Sequence, residues 1–277
     1  MKQNPFSFYD FLGYMLLGAV LLYIVTFVFG VDDIVAKLSL EDASNSTASQ
    51  LLSFIPAVIG SYLLGHVLAI GSSALIEAFT NYSNGYPSEF LFDVKPKKYL
   101  SSDTCGGQFG RIILWLLILP ISVFKLVLKD TLKIKMFNQA KSLPKPLREA
   151  TFDKCTTVLS DQIKVDTSNM KLENGIDGDY LRLLYHFIFE NSERHSGKLQ
   201  NYVALYGLTR NVSFVFVVLF WVAVYSHLFL TQLNIGLVHI FSFATLSYTF
   251  YIGFVKFYRR YSLEAVMAAS VYSKKDG

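Results

Sequence analysis

Charge is missing from four long stretches of this 277-residue chain: residues 11–29, 51–76, 211–230 and 235–255 contain no Asp, Glu, Lys or Arg. A helix rises about 1.5 Å per residue and hydrocarbon is about 30 Å thick, so about 20 apolar residues cross it. That absence excludes an ordinary soluble domain for the chain as a whole. It predicts an all-α, polytopic membrane protein with four transmembrane helices in two hairpins and a small helical cytoplasmic region between them. Cysteine is nearly absent too, with Cys105 and Cys155 alone. Two separated thiols exclude a disulfide framework, and they cannot hold zinc without histidine help. No Walker loop, dinucleotide fingerprint, nucleophile elbow or zinc-protease helix occurs, which favours a non-enzymatic role and requires no cofactor.

Cations are missing from one side of the hairpins. The loop after the first stretch carries Asp32, Asp33, Glu41 and Asp42 against Lys37 alone, and the turn around residues 231–234 has no charge. The other 24 of the 25 Lys and Arg fall outside those two connections. Lys and Arg are retained on the cytoplasmic side during insertion, so both termini and the middle region are expected there. The first stretch exceeds the apolar length of a signal peptide and lacks a small-x-small exit. The net charge of +4 is the excess that this rule and anionic lipid produce, so no direct nucleic-acid contact is expected. The implied organisation is a first hairpin over 1–79, a cytoplasmic region over 80–210, a second hairpin over 211–257 and an amphipathic tail over 258–277.

Residues 112–124 are apolar but too short to span, and a fifth crossing would export the lysines that follow. The segment therefore reads as a helix at the cytoplasmic leaflet. Lys125, Lys129 and Lys133 recur every four residues, which predicts a basic membrane-surface stripe; a core helix with a solvated basic face is the alternative. Helices are further expected over 144–160 and 180–194, with Ser196-Gly197 as a break. From Lys198 a helix should run into the third span.

The second span carries two patterns. Ala57, Ser61, Gly65, Ala69 and Ser73 are small residues spaced by four, a stripe that lets helix backbones approach closely in lipid. Packing within the chain and a homo-oligomer interface are both open. Beside it, Tyr62, His66, Ser73 and Glu77 form a polar row. His66 lies near the bilayer midplane and should point inward, as a hydrogen-bonded structural histidine, a group lining a water-filled path, or a catalytic or metal-binding group. His186 and Glu190, one helical turn apart, are weak metal candidates beside the reading of a solvated face.

At Phe8-Tyr9-Asp10-Phe11-Leu12-Gly13-Tyr14, and through Gly65-His66, Ser72-Ser73, Ile76-Glu77 and Gly85-Tyr86-Pro87, the chain resembles uncharacterised bacterial multi-pass inner-membrane proteins. Some of these look like membrane components of anti-phage defence systems. The resemblance implies a bacterial inner-membrane protein working with a soluble partner. Together with the patterns above, it leads to an expected function as an oligomeric effector or channel-like protein. A cytoplasmic protein or small-molecule signal would trigger it to perturb or permeabilise the bilayer. A membrane-embedded enzyme acting on lipid or intramembrane peptide, and a passive anchor or assembly subunit, are the alternatives.

Overall fold

The computed structural model describes residues 11–29, 54–96, 98–101, 104–229 and 235–272. All regular elements among them are helical. The expected external loop around Lys37 and the turn at 231–234 lie outside the described residues.

The chain opens with a π-helical segment, Phe11–Leu16, that leads into α1 (Leu17–Phe29). Helix α2 (Ile55–Ser72) starts on Pro56, tolerated there because first-turn amides have no intrahelical acceptor. It continues through a π-helical turn, Ser73–Glu77, into α3 (Ala78–Asn84), and α4 (Pro87–Phe90) follows. Then come α5 (Cys105–Leu117) and α6 (Leu119–Phe124), a π-helical segment Lys125–Thr131, α7 (Lys145–Asp161), α8 (Gly178–Asn191), α9 (Glu193–Phe229) and α10 (Leu237–Val271). Three helical stretches are long and apolar enough to cross a membrane: Ile55–Phe90, Glu193–Phe229 and Leu237–Val271. Cys105–Leu117 with Leu119–Thr131 would make a fourth if that pair, bent by 91°, counts as one span. The first helix contributes a shorter apolar stretch, Gly13–Ile24.

Residues divide into two compact units. The first takes in residues 1–76, 118–124 and 207–251, and the second residues 77–117, 125–206 and 252–277. In the first, α1 and α2 cross at glycine. A Cβ on Gly18 would collide with the Ser61 carbonyl and the Gly65 nitrogen, and one on Gly65 with the Tyr14 backbone. Leu17, Leu21, Leu68, Val215 and Leu219 fill the space beside this crossing.

The second unit has an aqueous-type core. Cys155, Leu159, Ile176, Leu184, Ile188, Leu199, Ala265 and Val266 are fully enclosed, with Phe90, Leu91, Phe92 and Phe152 around them. Each large side chain buried in this way contributes about 1.5–3 kcal/mol relative to exposure. Asp177 caps α8 by accepting from the Asp179 amide. After α4 the Val94 amide reaches the Glu89 carbonyl and the Asp93 amide the Phe90 carbonyl, with Asp93 at φ 69°. This is a Schellman stop with an aspartate in the left-handed position. Gly175, at φ 70°, packs against the Ser88 carbonyl, leaving no room for a side chain.

Several expectations are revised. The break before the third span falls at Ser192, which is extended at φ −136°, ψ 95°. Ser196-Gly197 lies inside α9, whose surrounding turns supply the hydrogen bonds that outweigh glycine's weak preference. The tail at 258–271 is the uninterrupted end of α10, and its Ala265, Val266, Ala268 and Ala269 enter the core of the second unit. Residues 112–124 are not one helix but parts of α5 and α6 either side of the bend. Finally, the three lysines do not share a helical face. Lys125 and Lys129 lie in the π-helical segment, whereas Lys133 follows it at φ 50°.

Candidate functional site

The richest concentration of buried polar groups in the first unit joins three helical segments. Ser72 is wholly buried at the end of α2, and its hydroxyl meets the Asn211 side-chain oxygen at 2.6 Å. Asn211 in turn donates through Nδ2 to the carbonyl of Gly13 in the opening π-helical segment, at 3.4 Å. The neighbouring Arg210 donates from Nε to the Ser72 hydroxyl at 3.1 Å. Two residues beyond Asn211 along α9, Ser213 donates to the Ser247 carbonyl at 2.8 Å, tying α9 to α10. In a low-dielectric surround an unsatisfied amide or hydroxyl is costly, so such a set holds its helices in one arrangement. Interhelical bonds of this kind contribute about 0.6–2 kcal/mol each in membranes.

A second feature lies at the glycine crossing itself, beside Gly65 and Tyr14. The His66 imidazole stacks on Tyr14, with ring centroids 4.5 Å apart and planes 16° from parallel. Tyr62 meets the same imidazole edge-on, also at 4.5 Å. On the neighbouring helical segment His66 meets the face of the Tyr14 ring. Tyr62 and His66 thus come together as the polar row implied. Ser73 is exposed. Glu77 closes the π-helical turn and falls in the second unit, where its carboxylate acts electrostatically on the Tyr258 hydroxyl.

The small-residue stripe divides in the same way. Ser61, Gly65, Leu68 and Ser72 are the buried positions of α2, whereas Ala57 and Ser73 are exposed and Ala69 is half-buried. Residues four apart drift by about 40° on a 3.6-residue helix, so a strict spacing of four leaves any straight contact line. The seam instead steps by four, three and four residues. Ser61 and Gly65 are occupied by packing against the first helical segment, which takes up the close-approach surface that also suggested an oligomer.

In the second unit, Lys125 is buried with its ammonium 5.3 Å from the centre of the Phe79 ring, a cation–π contact. Lys129 donates to the Asn84 side-chain oxygen at 2.7 Å. His186 and Glu190 are exposed on α8, and His186 meets Tyr185 edge-on. Among the described residues no group of three or more His, Cys, Asp or Glu could hold a metal ion. His195, by contrast, bonds Glu264 at 2.8 Å through Nδ1, with Lys198 3.7 Å from the same oxygen. That pairing joins α9 to α10 and went unread in the sequence because its members lie 69 residues apart.

The convergence of Arg210, Asn211 and Ser72 was likewise not read from the sequence. The signal was present as a cation and an amide placed together at the edge of an apolar stretch, where polar side chains need partners. No family model, curated protein or solved structure matches the chain.

Proposed function

We propose that this chain is a four-span inner-membrane protein that converts a cytoplasmic signal or partner contact into a change in membrane permeability, in a bacterial defence setting. The topology would place both termini and residues 80–210 in the cytoplasm. The charge asymmetry of the loops supports that orientation. Reporter fusions at Asn45 and Gln232 should register as external and one at Ser168 as internal.

One observation carries the mechanism. Helix α9 runs without a break from Glu193 to Phe229, with its residues up to 206 in the second unit and those from 207 in the first. Helix α10 does the same in reverse order, passing from the first unit to the second after residue 251. Arg210 and Asn211 sit just past the change-over in α9, so a shift or rotation of its cytoplasmic end reaches the bonds to Ser72 and Gly13 directly. Those bonds hold one arrangement of the spans, and releasing them gives a second. A signal acts by favouring one of two such states. The lipid bilayer is one partner, and a soluble protein or small molecule contacting the second unit is the other. Association of copies is compatible with this mechanism but is not required by it.

Induced expression in cells, followed by potassium efflux and membrane potential, tests the reading. The expected result is depolarisation on phage challenge, altered in Asn211→Ala at equal protein level. Unchanged efflux and potential with and without challenge would remove the proposal.

A further inference from the structure

Helix α5 carries an apolar face that the second unit does not cover. Phe109, Ile112, Ile113 and Leu116 follow the i, i+3, i+4, i+7 spacing of one helical stripe, and each is at least 40% exposed. The opposite side is anchored. Leu114 is buried, and Arg111 donates to the Tyr99 and Ser101 carbonyls at 2.7 and 2.9 Å. The Tyr99 hydroxyl returns a bond to the Arg111 carbonyl at 2.9 Å, and the guanidinium lies 4.5 Å from the centre of the Tyr82 ring. This clamp fixes the buried side of the helix to residues 99–101 and leaves the apolar stripe facing away from it.

We propose that α5 is an in-plane membrane helix, with Phe109, Ile112, Ile113 and Leu116 inserted among lipid acyl chains. The proposal rests on the chain being a membrane protein and adds where the second unit touches the leaflet. Three observations select lipid as the occupant. The helix has 13 residues, about 20 Å, too short to cross but suited to lying along the surface. Its sequence contains no acid, so an anionic surface does not repel it. In the chain it is followed by Leu119–Thr131, and the pair together is apolar enough for a broken span or a re-entrant loop, so bilayer lipid fits its free face.

The test uses the full chain carrying Cys105→Ser, reconstituted in vesicles of phosphatidylethanolamine and phosphatidylglycerol. Buried Cys155 is left in place. Spin labels are attached at Phe109→Cys, Ile113→Cys and Leu116→Cys, with Val58→Cys and Leu63→Cys as sites on a spanning helix and Lys164→Cys as an aqueous site. Collision with oxygen and with a water-soluble nickel chelate is compared. The α5 labels should favour oxygen over nickel by about threefold or more relative to Lys164→Cys, as insertion of an amphipathic face requires. Nickel-accessible α5 labels beside oxygen-favouring labels at Val58 and Leu63 would overturn this inference and leave the membrane reading intact. Spin–spin broadening at the α5 sites that disappears on dilution with unlabelled chain would also overturn it, by assigning the face to a second copy. Nickel access at Val58 and Leu63 as well would overturn both.

Discussion

The Ser72 hydroxyl and the Asn211 side-chain oxygen lie 2.6 Å apart with both residues buried, although 139 positions separate them in the chain. Each is part of an otherwise apolar helix, so each needs the other. Asn211→Ala and Ser72→Ala should both destabilise the first unit. Their double mutant should lose less than the sum, with a coupling of about 0.5–2 kcal/mol. Unfolding in mixed micelles, followed by helicity, measures the cycle. Strict additivity would show that the bond does not hold the helices.

Gly65 and Gly60 offer a matched pair on one helix. A methyl group at Gly65 meets the Tyr14 backbone, whereas at Gly60 nothing lies within 4 Å. Gly65→Ala should therefore cost about 1–3 kcal/mol through overpacking, because backbone cannot swing aside. Gly60→Ala should leave the thermal midpoint in detergent unchanged or slightly raised. Equal effects at the two sites would contradict the close crossing.

Asp93 gives the second unit a dependence on acid. The Arg148 guanidinium, 2.7 Å away, holds the Asp93 carboxyl below its ordinary range. A carboxylate with a depressed folded pKa contributes stability that is complete above its unfolded pKa and is lost as pH falls through the folded one. The thermal midpoint should accordingly fall as pH drops below about 4, the unfolded carboxylate range. Asp93→Asn, which keeps a residue tolerant of positive φ, should lower the midpoint at neutral pH and shrink that acid-side decline. An unchanged acid slope in the variant would assign the decline to other carboxylates.

The two cysteines should react very differently. Cys105 is exposed, whereas Cys155 is buried, with its thiol donating toward the Val266 carbonyl and its pKa pushed up to about 12 by burial. Only the thiolate is strongly nucleophilic, so Cys155 is doubly protected at neutral pH. Maleimide labelling followed by intact mass should add one label to the native chain and two after unfolding. Fast double labelling of native protein would show that the core joining α7 to α10 opens readily.

Much of the architecture was legible because it follows from local constraints. The long uncharged runs required helices, and the uninterrupted approach to the apolar part of α9 followed from the absence of proline between Lys198 and Arg210. The helix after Pro144 was marked by proline in its first turn. Local patterns misled where two elements compete for the same residues. Ser196-Gly197 carries a break signal, but flanking helix overrides it. Lys125, Lys129 and Lys133 are evenly spaced, but Phe79 and Asn84 claim the first two and the helix ends before the third.

By itself the sequence determined a helical chain with segments long and apolar enough to cross a membrane and a polar helical portion, since lipid admits few ways to satisfy a backbone and charge is expelled from it. Only the tertiary structure decided which small residues meet which backbone, that His66 lies against Tyr14, and that Ser72, Arg210, Asn211 and Gly13 converge. The reason is range: hydropathy acts on each segment separately, whereas a hydrogen bond or a glycine contact depends on where a distant segment is carried.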